Sequence, residues 1–420
     1  MAKIGILTYG CAVNQSDSEV MAGLLKEAGF TIAWGSEEPE LILVNTCIVK
    51  GPTENKIIRK LQDLEKAGKK VIVAGCMPEA YPETLKRFPG FAFLGVNSTD
   101  ILETVSNFLG HRKKTLKPRN AETKKLRRNR YIAVVPTSQG CLGNCSYCSV
   151  KLARGDLKSY TTNSILSQVK DSLDQGAKEV WLTSQDNGCY GLDIGTNLPG
   201  LIRQVVALPG EFRVRVGMMN PRFVLDFLDD LVDVCKNEKV YKFIHLPVQS
   251  GSDNILRLMN RGYTIDDFKR IVSRFRKELD FTLSTDIIVG FPGETQDDLR
   301  KTVDLLEEVK PEVLNLSKYW ERKGTKACSM KQLPKDVIKV RGKTISHLFS
   351  KISREKEERW KDWEGIVLIT GKKDGMYVGR NFAYKPVLVK GGEDLLGKFI
   401  DVRITETSTG DAVGEPVKSF

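Results

Sequence analysis

Along the first 110 or so residues, short apolar runs alternate with stretches whose apolar positions recur at helical spacing. The apolar runs are KIGILTY, ELILVNT and KKVIVAG. SDSEVMAGLLKEAG, a segment near Thr53 to Ala67 and a closing segment near Thr99 to Leu109 carry the helical pattern. Strands alternating with helices predict an open parallel sheet with helices on both faces. A second alternating region runs from about Tyr131 to Lys310, with strands expected at YIAVVPT, EVWLTSQ, FRVRVGM, YKFIHLPV, LSTDIIVGF and EVLNLSKY. Six strands with intervening helices predict a full or partial (β/α) barrel. Residues 335 to 361 read as a charged amphipathic helix. From Gly365 onward the runs GIVLIT, GMYVGRN, KPVLVK, GKFIDVRITET and AVGEPV are short and turn-bounded. They predict a small antiparallel barrel of roughly 55 residues, near the lower size limit of an independent domain.

The pattern describes an α/β chain in three units, residues 1–110, 131–360 and 361–420, with residues 111–130 as a linker. A chain of 420 residues, 41% hydrophobic and 28% charged, can bury large cores, which excludes a disordered tail protein. No apolar run approaches the roughly 20 residues that cross a bilayer, and MAKIGILTYGC reads as a buried strand rather than a cleavable leader. A soluble, cytoplasmic protein with no membrane partner is therefore expected. The formal charge of +12 is concentrated in RKKTLKPRNAETKKLRRNR, Arg112 to Arg130, whose ten Lys/Arg and one Glu give a local +9. Such a segment suits a polyanion, because each cation that neutralises a phosphate releases a counterion; a solvated linker has the same composition. From Lys361 to Phe420, nine Lys/Arg balance nine Asp/Glu, so net charge there argues for no partner.

Nine cysteines are too few for a disulfide scaffold, and an odd number cannot pair completely. Cys141, Cys145 and Cys148 form a C-x3-C-x2-C run directly after the strand YIAVVPT. Three thiolates on one loop at the C-terminal mouth of a barrel strand can grip three irons of a [4Fe–4S] cluster and leave the fourth open to a ligand. A zinc knuckle is the competing reading, but zinc normally takes a fourth ligand, and the three histidines, His111, His245 and His347, are not nearby in sequence. Cys11, Cys47 and Cys76 each lie just past the end of an apolar run, and in an open parallel sheet those ends share one ligand-binding edge. Three further thiols thus converge on a second site. Cys189, Cys235 and Cys328 lack partners at ligand spacing and receive no role. His245, inside FIHLPV, is read as a satisfied barrel histidine, and Gly290-Phe-Pro-Gly293 with Thr295-x-x-Asp298 as a turn and helix cap. The basic loop Trp320 to Lys326 either faces an anionic substrate or is solvated.

The C-x3-C-x2-C run opening a six-strand (β/α) region resembles the radical S-adenosylmethionine (SAM) superfamily. Longer blocks resemble its methylthiotransferase family, of MiaB, RimO and MtaB types. These are Tyr9-Gly-Cys11-Ala-Val-Asn14-Gln15-Ser-Asp17-Ser-Glu19, Asn45-Thr-Cys47, Gly75-Cys76-Met, His245-Leu-Pro-Val-Gln249-Ser-Gly-Ser-Asp253 through Leu258-Met-Asn-Arg261, and Asp286-Ile-Ile-Val-Gly290-Phe-Pro-Gly-Glu294-Thr. The last 55 or so residues resemble a TRAM domain, a small RNA-binding barrel. The resemblance implies two [4Fe–4S] clusters, one on Cys141, Cys145 and Cys148 that binds and cleaves SAM, the other on Cys11, Cys47 and Cys76 that carries or delivers sulfur. One SAM would methylate that sulfur, and another would yield the radical that removes hydrogen from an unactivated C–H carbon. No catalytic carboxylate is required for that abstraction, and none is named.

For the SAM pocket, the strand-end polar residues Gln185, Arg215, Gln249, Ser250 and Asp286 are the candidates. Gln185 stands near where many radical SAM enzymes carry Gly-Gly-Glu, a motif this sequence lacks. GCAVNQSDSE, VGMMNP and GRN-YKPV are most similar to the archaeal and eukaryotic MtaB-like branch. That likeness implies N6-threonylcarbamoyladenosine at tRNA position 37 as substrate, methylthiolated at C2. Isopentenyladenosine in tRNA, or an aspartate of a ribosomal protein, are the alternatives within the family. A non-enzymatic RNA-binding metalloprotein is the alternative outside it. The implied partners are tRNA and an electron donor of flavodoxin or ferredoxin type, and nothing in the sequence requires more than a monomer.

Overall fold

In the computed structural model, which describes residues 3–36, 38–110, 125–391, 394–408 and 410–417, the run LILVNT is buried at all six positions because it is a central strand. The N-terminal sheet consists of β1 (Lys3–Thr8), β2 (Thr31–Trp34), β3 (Leu41–Thr46), β4 (Lys70–Gly75) and β5 (Ala92–Phe93), in the order β2-β1-β3-β4-β5. All its pairings are parallel. Side chains alternate across it: Ile4, Ile6, Leu41, Leu43 and Ile72 pack against helices Ala12–Glu27 and Ile101–Leu109. Ile42, Val44, Val71 and Val73 pack on the other face against helix Gly51–Lys66. The edge strands β2 and β5 are additions to the sequence expectation. Each pairs with one neighbour only, and two to four half-buried residues leave a weak apolar signal.

The central unit contains β6 (Ile132–Pro136), a ribbon of β7 (Ser138–Gln139) and β8 (Lys158–Ser159), β9 (Glu179–Thr183), β10 (Arg213–Val216), β11 (Phe243–His245), β12 (Thr282–Val289) and β13 (Val313–Lys318). It is a partial barrel of two parallel halves, β10-β9-β6 and β11-β12-β13, which meet through the bridge between Val214 and Val240. Helix Lys335–Glu357 leads to the last unit. There β14 (Glu364–Lys373), β15 (Met376–Arg380), β16 (Pro386–Val389), β17 (Phe399–Thr407) and β18 (Ala412–Pro416) close a barrel in the order β14-β15-β16-β18-β17. The expected small antiparallel barrel is present, with one parallel seam between β16 and β18. Five strands cannot alternate direction around a closed ring, so an odd barrel must contain a parallel pair.

The flanking units cap opposite ends of the central barrel. The N-terminal sheet lies over the mouth where the strands end, held by Ser149 Oγ donating to the Ile48 carbonyl (3.4 Å) and by the ion pair between Arg154 and Asp17 (2.6 Å). The Trp320–Lys326 loop takes part in this seam. Arg322, 5% exposed, pairs with Glu54, and Trp320 stacks so closely over Gly51 that a Cβ there would collide with its ring. At the other end, Tyr384 of the C-terminal barrel inserts among Tyr241 and Phe243, and its hydroxyl donates to the buried Glu179 carboxylate (3.2 Å). Residues 111–124 of the basic segment lie outside the described residues. The remainder, Lys125 to Arg130, is docked: Lys125 Nζ donates to Ser16 Oγ (2.8 Å), the Val134 carbonyl (2.7 Å) and Gln168 Oε1 (2.6 Å). Among the described residues, no helix is long and apolar enough to cross a membrane.

Candidate metal centres

Cys11, Cys47 and Cys76 meet at the C-terminal edge of the N-terminal sheet because β1, β3 and β4 are adjacent and in register. Gly10, at φ 110°, makes this possible: a Cβ there would lie 2.6 Å from Cys47 Cβ. Asn14 organises the site. Its Nδ2 donates to the Thr46 carbonyl (2.7 Å) and the Tyr9 carbonyl (3.1 Å), which turns Oδ1 toward the sulfurs. Cys11 Sγ (3.6 Å) and Cys76 Sγ (4.0 Å) both approach that oxygen, and Arg154 Nη2 donates to it at 3.1 Å. Burial pushes the Cys47 thiol up and Cys76 to about 11, with Arg154 opposing the rise at Cys76. Metal binding here must displace protons from thiols that water alone leaves protonated.

The second triad lies beneath the first. The loop after β6 turns at Gly140 (φ 73°), where a side chain would strike the Asp156 carbonyl. Gly143 N–H donates to Cys141 Sγ (3.2 Å), and Arg261 Nη1 donates to Cys145 Sγ (3.3 Å). The loop is braced by Ser146 N–H to the Met259 carbonyl (3.0 Å) and Asn260 Nδ2 to the Asn144 carbonyl (2.8 Å). Burial, then the neighbouring Cys145, raises the Cys148 thiol to about 11. Immediately after Cys148 comes the helix Val150–Arg154, whose last residue reaches the Asn14 and Cys76 site. One short helix therefore spans the two triads.

Neither triad brings its three sulfurs within 4.8 Å of one another among the described residues. Sulfurs about 2.3 Å from one tetrahedral zinc lie within about 4 Å of each other, so both triads are too open for a single ion and suit a multi-iron cluster. The group that does fall within 4.8 Å is Cys141, Asp186 and Cys189. Cys189 is fully buried, contacts Cys141 and donates Sγ–H to the Asp186 carbonyl (3.2 Å). The sequence reading gave it no role, and the 48-position separation from Cys141 explains why.

The other expected site residues divide between the mouth and the barrel interior. Gln185, after β9, has a buried Oε1 with no partner, as have the neighbouring hydroxyls of Ser138 and Ser184. These orphaned groups at the mouth fit a polar ligand such as the amino-acid end of SAM. Gln249 lies at φ 73°, unusual for a residue with a side chain, and its N–H donates to the Asp286 carbonyl (2.7 Å). Ser250 is 1% exposed, and its Oγ accepts from Ser252 N–H at 3.2 Å. Asp286 faces the lumen, bonded to His245 Nε2 (3.0 Å) and Asn315 Nδ2 (2.7 Å). Burial works to raise its pKa, yet the bond and charge of His245 overcome this and the carboxyl is lowered. Arg215 is stacked among Trp181, Phe243 and Tyr384, 5.2 to 5.5 Å from the ring centres, on the side of the capped end. Asn14, Arg154 and Arg261 were not named as site residues. Asn14 and Arg261 were visible only as members of quoted blocks, and Arg154 carried no signal at all. The capping box at Thr295 and Asp298 is present as expected.

A partial (β/α) barrel with three thiols on the loop after its first strand is the architecture of a radical SAM protein, and the Radical SAM superfamily model matches residues 135–306. The model of uncharacterized protein family UPF0004 matches residues 3–95, and the TRAM domain model residues 366–417. In overall fold the chain is similar to the radical SAM methyltransferase TsrM from Kitasatospora setae, solved with cobalamin and a [4Fe–4S] cluster (TM-score 0.55, 15% identity, 90% of this chain and 81% of that one). Over 426 residues it is 43% identical to a probable threonylcarbamoyladenosine tRNA methylthiotransferase of Pyrococcus horikoshii, covering 99% of both chains. The human threonylcarbamoyladenosine tRNA methylthiotransferase is 36% identical, covering 99% of this chain and 74% of the human one. The chain belongs to this methylthiotransferase family.

Proposed function

We propose that the protein converts N6-threonylcarbamoyladenosine at position 37 of tRNA to its 2-methylthio derivative. The observation that carries the reading is the pair of cysteine triads joined across the domain seam by the helix Val150–Arg154. Cys141, Cys145 and Cys148 hold one [4Fe–4S] cluster, and Cys11, Cys47 and Cys76 the other. When bound, the clusters and SAM supply the radical and sulfur chemistry that an unactivated C–H bond requires. The chain's own part is positional. Arg261 donates to Cys145, while Asn14 and Arg154 orient and partly neutralise the upper triad. Gln185, Gln249, Ser250 and Asp286 are assigned to the polar wall of the SAM pocket, whereas Arg215, stacked on Trp181, Phe243 and Tyr384 at the capped end, is not. The N-terminal sheet covers the mouth and restricts water. The cytoplasm is the proposed location, a flavodoxin or ferredoxin the electron donor and a monomer the working form.

The test is nucleoside mass spectrometry on tRNA carrying threonylcarbamoyladenosine after anaerobic incubation with cluster-replete protein, SAM, sulfide and a reductant. A methylthio mass gain is expected. No gain, with modification of isopentenylated tRNA or a ribosomal protein instead, would overturn the substrate. A colourless, zinc-containing protein would overturn the radical chemistry. Replacing Cys141, Cys145 and Cys148 with Ala is expected to abolish SAM cleavage, whereas replacing Cys11, Cys47 and Cys76 leaves cleavage and stops sulfur insertion. Equal loss of cleavage in both triple variants contradicts this division.

A further inference from the structure

Between the C-terminal barrel and the closed end of the central barrel lies a cleft of about 340 Å³, within the roughly 300–1,000 Å³ range of small-molecule sites. It is far from the cysteine loops: Arg213 begins β10 and Lys242 precedes β11, whereas the thiols follow the ends of strands. Its polar lining is nearly all donor. Among the described residues neither Arg213 nor Arg380 reaches a carboxylate within ion-pair distance. Lys242 is held beside Arg213 by the carbonyls of Asn237 (2.6 Å) and Val240 (2.8 Å). Burial lowers its pKa to about 8, with Arg213 adding to the fall and Cys235 and Glu238 opposing it. Among the described residues, Glu238 is the one carboxylate in the lining.

Asn381 supplies an independent observation. It is 1% exposed, its Oδ1 accepts from the N–H groups of Ala383 (3.1 Å) and Lys385 (3.0 Å), and Nδ2 is left as a buried donor with no partner. The amide cannot be reversed without losing both bonds, so the unsatisfied group is fixed as a donor. Half-buried rings of Trp363, Phe382 and Phe399 complete the lining, and Arg213 stacks 4.8 Å from the Phe399 centre. Donors for an anion beside flat apolar faces define the recognition of an aromatic base bearing phosphate.

We propose that this seam binds one nucleotide, its phosphate on Arg213, Arg380 and Asn381 and its base on the rings. Resting on the tRNA reading above, the proposal assigns that nucleotide to the RNA substrate, away from the reacting base. A free nucleoside monophosphate has the same chemistry, and the test separates the two. Binding of tRNA is measured against salt for the cluster-loaded wild type, the double variant R213Q/R380Q and N381D. N381D keeps both backbone bonds and turns the free donor into a carboxylate oxygen. Expected are about tenfold weaker binding in each and, for the double variant, a log K against log salt slope shallower by about 1 or more, with melting temperature and iron content preserved. Wild-type affinity and slope in both variants would overturn the proposal while leaving the tRNA reading standing. Should wild type bind no tRNA, that reading fails by itself. The seam is then tested with adenosine 5′-monophosphate by tryptophan fluorescence: saturable binding lost in N381D makes it a free-nucleotide site, and no binding overturns it.

Discussion

Cys189 touches Cys141 and is fully buried. Thiolates bound to different irons of one cluster splay apart, so sulfurs in direct contact cannot both be ligands without rearrangement. Cys189→Ala is therefore expected to retain its iron and sulfide, whereas Cys141→Ala loses the cluster. Iron and sulfide analysis after anaerobic reconstitution decides this, and equal loss in both variants would make Cys189 a ligand. At this scale the six cysteines stood out because Cys11, Cys47 and Cys76 each follow an apolar run, while Cys141, Cys145 and Cys148 form one close-spaced run after another, and both patterns can be read locally. Their supports were not. Arg154 bonds Asn14 across 140 positions and Arg261 bonds Cys145 across 116, and no local pattern carries that pairing.

Among the elements, the strap that ends the basic segment has the most testable consequence. Burial lowers the Lys125 ammonium to about 8 from 10.5. Between those values the unfolded chain holds a proton that the folded chain has released, so stability rises with pH across that window. Below pH 8 the whole cost of the buried charge is present, about 3 kcal/mol at most. Lys125→Met keeps the length and removes the titration. The denaturation midpoint of wild type is expected to rise relative to that of the variant as pH goes from 8 to 10.5, and a constant difference would refute the assignment. The segment reads as a linker from its basic, polar and Pro118-containing composition, which does not describe docking. The strands of the N-terminal sheet and the six strands of the barrel were legible from their apolar runs. The edge strands β2 and β5 were hidden by brevity. The parallel seam of the five-stranded barrel followed from closure, which strand patterns do not reveal.

For the molecule as a whole, division into three units describes composition better than independence. The buried Glu179 receives hydrogen bonds from Trp181, Tyr241 and, out of the last unit, Tyr384. Arg215 loses one of its three rings if that unit is removed. A chain ending at residue 360 is accordingly expected to be poorly soluble and to melt well below the full protein, by thermal scanning with light scattering. A truncated chain that melts at the same temperature would show the cap to be dispensable. The plug formed by Tyr384 also sets an order of events. Synthesis runs from the N-terminus, so both sets of thiols leave the ribosome long before the side chain that seals the barrel's far end. The nascent enzyme thus has its cysteines exposed while its scaffold is unfinished, a period in which cluster delivery meets an open protein and premature oxidation meets it too.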